Sequence, residues 1–334
     1  MRLLKLVPET TNIGFVRWRN VAMLISLLMI IGSVALVATR GLNLGIDFVG
    51  GQSMRVTFQE SPPLDQLRSQ VSGLGYGEGV IQEEFGTPGA QTEGHTVTIR
   101  MPLPQTGGEE AANVAAQQLR QLVEQGYPGA RIESVETVSG KVSNELFRAG
   151  GLSLLFAMIA ISIYIWVRFE WQFGVGALFA LFHDVALTFG FFALTQLEFN
   201  LNIVAALLTI IGYSLNDTIV VYDRIRENLR KYRKMAIEPL LDLSINETLA
   251  RTIMTSLSML IALFVLLMMG PDVIFGFVAA ILLGIIIGTY SSVYMAAPIL
   301  IWLKVGPHSF LPKDAGPAER MPAGRNEGYD GAQV

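Results

Sequence analysis

Six apolar runs, at 21–38, 150–167, 173–194, 203–222, 249–269 and 275–303, dominate the chain. Each is long enough to cross a hydrocarbon layer of about 30 Å as a helix, the last with length to spare. Nothing else in the sequence narrows the possible folds as far. Over 334 residues the chain is 51% hydrophobic and only 16% charged. That balance describes a polytopic α-helical membrane protein built on a six-helix bundle, not a soluble domain. The absence of cysteine excludes disulfides, thiolate metal sites and cysteine nucleophiles. No basic stripe points to nucleic acid, and no cofactor or metal is expected.

The fourth run carries a carboxylate. It lies within NLNIVAALLTIIGYSLNDTIVVYDRIREN (200–228), with Asp217 well inside the span. At about 100° per residue, Thr209, Gly212, Tyr213, Asn216, Asp217 and Val220 share an arc of about 140°. Leu207, Leu208, Ile211 and Leu215 fall mainly on the other side. A carboxylate against lipid costs at least about 2.5 kcal/mol, so the polar face must look into protein or a water-filled cavity. Asp217 is therefore a candidate for handling protons or ions. The plainer alternative is a protonated Asp hydrogen-bonded between helices.

Other runs hold polar groups too. His183 and Asp184 sit mid-span in the third. With no third ligand in reach by sequence, metal is disfavoured. Packing polars bonded across helices come first and a share in a proton path second. In the approach to the fifth run, SINETLARTIMTSLSML from Ser244, Arg251, Thr255 and Ser258 recur at i, i+4 and i+7 and line one face. Arg251 enters from the side toward which Asp217 lies. A pair across these antiparallel helices would keep Asp217 ionised; the alternative for Arg251 is snorkelling to the interface. In the sixth run, Gly284 and Gly288 permit close helix approach. Thr289, Tyr290, Ser291, Ser292 and Tyr294 follow, a polar cluster that a lipid-facing helix rarely carries. This run is expected to tilt or to end near Pro298.

Residues 41–148 form one external domain. Strands are expected at 52–58, 80–85, 95–101 and 130–138, and helices at 64–74 and 109–125. The order βαββαβ is the ferredoxin-like α+β arrangement. No catalytic constellation shows in it, and a binding or moving module is the expectation. The linking stretch GLNLGIDFVGGQ (41–52) places Gly45, Asp47, Gly50 and Gly51 where a hinge is needed.

Lys and Arg set the orientation. They gather in the segment 1–20, at Arg168, in the loop 223–248 and from Lys304 onward. The loops 195–202 and 270–273 have none. Both termini are thus expected in the cytosol, the first run as an uncleaved anchor behind a short amphipathic segment. The tail 304–334 is expected to be disordered.

Five stretches carry a family resemblance: GLNLGIDFVGG (41–51), RFEWQFGVGALFALFHDV (168–185), IIGYSLNDTIVVYDRIREN (210–228), INETLARTIMTS (245–256) and GTYSSVYMAAP (288–298). Together they resemble the SecF family, the smaller membrane subunit of SecDF translocation complexes in the resistance-nodulation-division superfamily. The resemblance implies a bacterial inner-membrane protein that is not an enzyme. It implies SecD, the SecYEG channel, a YajC-like small subunit and translocating preprotein as partners, with the proton-motive force as driver. It also places proton coupling on Asp217 and Arg251. The rivals are a half-transporter of the same superfamily exporting a small molecule or lipid, and an intramembrane aspartyl protease with Asp184 and Asp217 as its dyad.

Overall fold

A computed structural model of the chain describes residues 11–83, 94–103 and 108–306. The first ten residues, the tail beyond 306 and the end of the expected strand 80–85 with its following turn lie outside the described residues.

Among the described residues six helices are long and apolar enough to cross a membrane. They are α1 (Arg19–Arg40), α5 (Gly140–Arg168), α6 (Trp171–Thr195), α7 (Leu201–Lys231), α8 (Ile237–Met269) and a final helix from Phe275 to Trp302. The last consists of α9 (Phe275–Ser291), one π-helical turn (Ser292–Ala296) and α10 (Ala297–Trp302). The expected end near Pro298 does not occur. The wider π turn precedes Pro298, which lies in the first turn of α10, where a missing N–H costs little. Several helices overrun the expected spans by one to three turns, because their ends continue as polar helix beyond the apolar window.

Buried share separates centre from rim. It is 56% of the apolar window in α7 and 50% in α6, but 11% in α5 and in α8. Small residues bring the inner helices together. A Cβ at Gly284 of α9 would run into Ile210 of α7, and one at Gly288 would meet Ser214 at 3.0 Å. The expected close approach through these two glycines is thus made against α7. Where a short amphipathic segment is expected before the first run, residues 11–15 have no regular structure and lead into a single 3-10 turn, Val16–Trp18. Asn246 and Asp242 of α8 hold it, accepting from the Ile13 and Val16 N–H groups at 2.9 Å each.

The remaining described elements form a separate layer at one end of the bundle. In chain order they are α2 (Ile46–Val49), β1 (Gly51–Phe58), α3 (Leu64–Ser72), β2 (Val80–Glu83), β3 (His95–Met101), α4 (Gly108–Gly126) and β4 (Arg131–Val138). The four strands pair as β2-β3-β1-β4, every pair antiparallel. Alternation puts Met54, Val56 and Phe58 of β1 on one face, where they pack on Leu67, Val71, Leu119 and Val123 from the two helices. Burying these side chains at about 25 cal/mol per Å² supplies this layer with a core of its own.

Polar side chains fasten the layer to the bundle. Arg100 of β3 donates to the Leu44 carbonyl at 2.8 Å and to Asn43 Oδ1 at 2.6 Å. Asn43 and Gln82 both donate to the carbonyl of Gln196, at 2.8 and 3.0 Å, just beyond the end of α6. Burial pulls the Arg100 pKa below the ordinary arginine value, and nearby Glu198 pulls it back up.

Candidate polar site in the bundle

Asp217 is 6% exposed, at the junction of α7, α8 and the π turn. Its Oδ1 accepts from Thr252 Oγ1 at 2.7 Å and its Oδ2 from Ser292 Oγ at 2.9 Å. The expected Asp217–Arg251 pair is not formed. At 100° per residue, turning α8 so that Thr252 meets Asp217 carries Arg251 out to the exposed face. Two hydroxyl donors fill the place assigned to a guanidinium, without the cost of burying a second charge.

Asp184 and His183 lie one helix away, both fully buried. His183 Nδ1 is 2.9 Å from Asp184 Oδ1. Asp184 Oδ2 accepts from Ser214 Oγ at 2.5 Å and from Ser291 Oγ at 2.9 Å. The Nε2 of His183 is buried without a hydrogen-bond partner, and its ring lies 6.0 Å from that of Tyr290. Among the described residues no cluster of three His, Cys, Asp or Glu side chains could hold a metal. The two carboxylates, weighed above as a dyad, have separate hydroxyl partners.

The two sites meet through consecutive serines. Ser291 serves Asp184 and Ser292 serves Asp217, at the point where the α-helix passes into the π turn. Each serine has one hydroxyl proton and a second acceptor within reach in its own helix. For Ser291 this is the Gly288 carbonyl at 3.2 Å, and for Ser292 the Thr289 carbonyl at 3.0 Å. An ionised carboxylate holds the serine. A protonated one carries its own donor and competes less for the serine hydroxyl, which has the helix carbonyl as its other acceptor.

A third polar link runs beside these. Tyr213 donates to Ser256 Oγ at 3.1 Å, and Ser256 lies 2.8 Å from Thr289 Oγ1. Thr248, Thr252 and Ser256, spaced by four, form the buried polar stripe of α8. Sequence reasoning chose the neighbouring register instead. That stripe, Arg251, Thr255 and Ser258, is exposed, as are Thr209, Gly212 and Asn216 on α7. Thr209 and Thr255 satisfy themselves on carbonyls four residues back, at 2.9 and 3.0 Å.

The linker glycines sit between the layers. Gly50 and Gly51 take φ of +70° and +132°, and a Cβ on Gly51 would lie 2.8 Å from the Met101 carbonyl. Gly45 has an ordinary φ of −71°, so its need for glycine is spatial: a Cβ would meet Glu198 Oε1 at 2.6 Å. Asp47 Oδ2 accepts from the Leu201 N–H at 2.9 Å and so caps the start of α7 from outside that helix. The helix that bears Asp217 is thus gripped at its far end by the linker.

A family profile described as "Protein export membrane protein SecD/SecF, C-terminal" matches residues 118–306, and one described as "SecD/SecF GG Motif" matches 35–62. A "Protein translocase subunit SecF" of Rhodobacter capsulatus is 46% identical over 305 residues, covering 90% of this chain and 91% of the relative. One from Vibrio alginolyticus is 39% identical over 326 residues, covering 96% of this chain and 100% of the relative. Among solved structures, SecDF from Thermus thermophilus, described as a translocon-associated membrane protein, matches with a TM-score of 0.80 and 32% identity. The match covers 90% of this chain and 40% of the SecDF chain, so more than half of that solved protein has no counterpart here. SecDF in its super-membrane-facing form matches the same shares with a TM-score of 0.61.

Proposed function

The chain belongs to the SecD/SecF family of protein-export membrane proteins, and from that premise we propose that it is the SecF-type half of a proton-driven unit. In this reading it works with a SecD-type chain to help preproteins across the bacterial inner membrane through a SecYEG-type channel, with a YajC-like small subunit associated. It transports and performs no bond chemistry. The sheet-bearing layer is its external, ferredoxin-like moving module, and both termini are cytosolic.

One observation carries the reading. Asp217 is buried among hydroxyl groups inside a helix apolar enough to cross a membrane, and the Ser292 hydroxyl that it holds has a second acceptor within reach. A carboxylate kept there in hydrocarbon costs stability and has to be matched by a role. A proton entering Asp217 frees Ser292, and through the π turn Ser291 and Asp184 sense the change, with His183 and Tyr213 as further members of the path. Asp47 and the glycines at 50 and 51 pass movement of α7 to β1. Populations of the two hydroxyl arrangements are then biased by the proton gradient.

The partner follows from what α7 and α8 expose. Asn216 and Arg251 have no side-chain partner among the described residues and are exposed, as are Thr209 on α7 and Thr255 and Ser258 on α8. An arginine at the centre of a span costs about 2.5–3.5 kcal/mol on insertion scales, and one near its end, as Arg251 is in the run 249–269, costs less but still favours a polar neighbour. A second helical bundle laid over this stripe removes the cost and lets Arg251 act in coupling from the interface. Preprotein translocation into inverted vesicles, with and without an uncoupler, tests the whole. Asp217→Asn is expected to insert and to co-purify with its partner while losing the uncoupler-sensitive part of export. Full retention of that part would sink the proposal.

A further inference from the structure

At the end of the bundle opposite the sheet, Arg168, Arg226, Arg230 and Lys231 line a crevice of about 550 Å³ together with Asp223 and Glu227. The two acids are already engaged. Asp223 accepts from Arg168 at 2.9 Å, and Glu227 pairs with Arg224 at 2.7 Å. Arg226 is shared between Glu170, at 3.2 Å, and the Arg168 carbonyl, and its Nε is buried without an acceptor. Arg230 and Lys231 have no acidic partner among the described residues, and Lys231 only faces the Tyr232 ring at 5.0 Å. They sit in the last turn of α7, whose free carbonyls favour cations. The crevice therefore holds positive charge that the described residues do not neutralise.

Its wall is apolar. Trp166 is 66% exposed, Val167 84% and Trp171 53%, flanking Arg168 in sequence at the turn between α5 and α6. Indole rings at the end of a membrane-length helix mark the headgroup level of a bilayer. A ligand fitting both surfaces has an anionic head for Arg230 and Lys231 and hydrocarbon for Trp166 and Val167. We infer that this crevice binds the phosphodiester headgroup of an anionic phospholipid, whose acyl chains lie against the α5–α6 turn. The site stands apart from Asp217 and needs no proton coupling. It would survive if the reading of Asp217 failed.

The test uses the full-length chain in vesicles, with Trp18→Phe and Trp302→Phe so that Trp166 and Trp171 report alone. Brominated phosphatidylglycerol should quench them at roughly a tenfold lower mole fraction than brominated phosphatidylcholine. Arg230→Gln with Lys231→Gln should bring the two lipids within about twofold. The charge-preserving exchange Arg230→Lys with Lys231→Arg should keep the preference, which separates lost charge from lost folding. Equal quenching by both lipids in the parent, or a preference that survives the Gln pair, overturns the inference. Relief of quenching by millimolar glycerol phosphate would reassign the crevice to free phosphate. Relief by a soluble acidic peptide at low salt would reassign it to a protein segment. Either result overturns the lipid.

Discussion

The sheet-bearing layer and the helical bundle bury opposite things. In the layer, Met54, Val56, Leu67, Ile99 and Leu119 fill the interior completely. In the bundle, Leu28, Phe156, Ile163 and Val167 are exposed, while His183, Asp184, Ser214 and Ser291 are at most 1% exposed. Water expels apolar surface, so the layer is held by the area it removes from solvent. Lipid does not expel it, so helices in lipid meet through small residues and hydrogen bonds. The difference teaches where damage should appear. A lost methylene matters in the layer, whereas in the bundle a lost donor or acceptor does.

The largest expected effect is on transport. Asp217→Asn should abolish the uncoupler-sensitive part of export in inverted vesicles while leaving the thermal midpoint of the bundle within a few degrees. A collapse of the midpoint instead would make Asp217 a structural residue and blur the contrast. Next comes Leu119→Ala, which opens a cavity in the layer and should cost about 2–5 kcal/mol there. Hydrogen exchange should rise across β1, β3 and β4 but stay unchanged in α6 and α7. Spread of the exchange into those helices would mean that the two cores are one.

Asp184→Asn should rank third, at about 1–3 kcal/mol, because an amide offers one acceptor oxygen where the buried His183, Ser214 and Ser291 meet two carboxyl oxygens. Thermal unfolding in lipid nanodiscs measures it, and Asp184→Leu should be worse than Asp184→Asn. Equal midpoints for the two would show that hydrogen bonding at Asp184 contributes nothing. At the joint, Asp47→Ala removes the cap on α7 and should cost about 0.5–2 kcal/mol, seen as faster exchange at the Leu201 amide. An unaltered amide would detach the linker from the Asp217 helix. Smallest is Ser256→Ala, about 0.6 kcal/mol, the usual worth of one interhelical hydrogen bond. Its thermal midpoint should fall by less than that of Asp184→Asn, and a larger fall would reverse the ranking of the two polar links.

On α8 the conspicuous polar stripe and the buried one are offset by a single residue. Arg251, Thr255 and Ser258 make the more conspicuous stripe because one member is charged. Ser244, Thr248, Thr252 and Ser256 recur every four residues beside it, and all four are buried. Strict spacing by four was the available signal. On α7 the polar arc is real but divides in two: Asp217 turns inward while Thr209, Gly212 and Asn216 stay outside. An arc of about 140° is wide enough to touch two different neighbours.

What the sequence determined by itself is what local periodicity and length can encode. That covers the apolar helices long enough to cross a membrane, the order of strands and helices in the layer, and a carboxylate that has to be buried. Tertiary structure decided the partners. It set Thr252 and Ser292 on Asp217, joined Asp184 to α7 and α9 through Ser214 and Ser291, and placed a π turn before Pro298. The reason is rotational. Periodicity says which residues share a face, but the direction of that face is fixed only when neighbouring helices dock. A turn of 100°, one residue's worth, separates the buried Thr252 from the exposed Arg251.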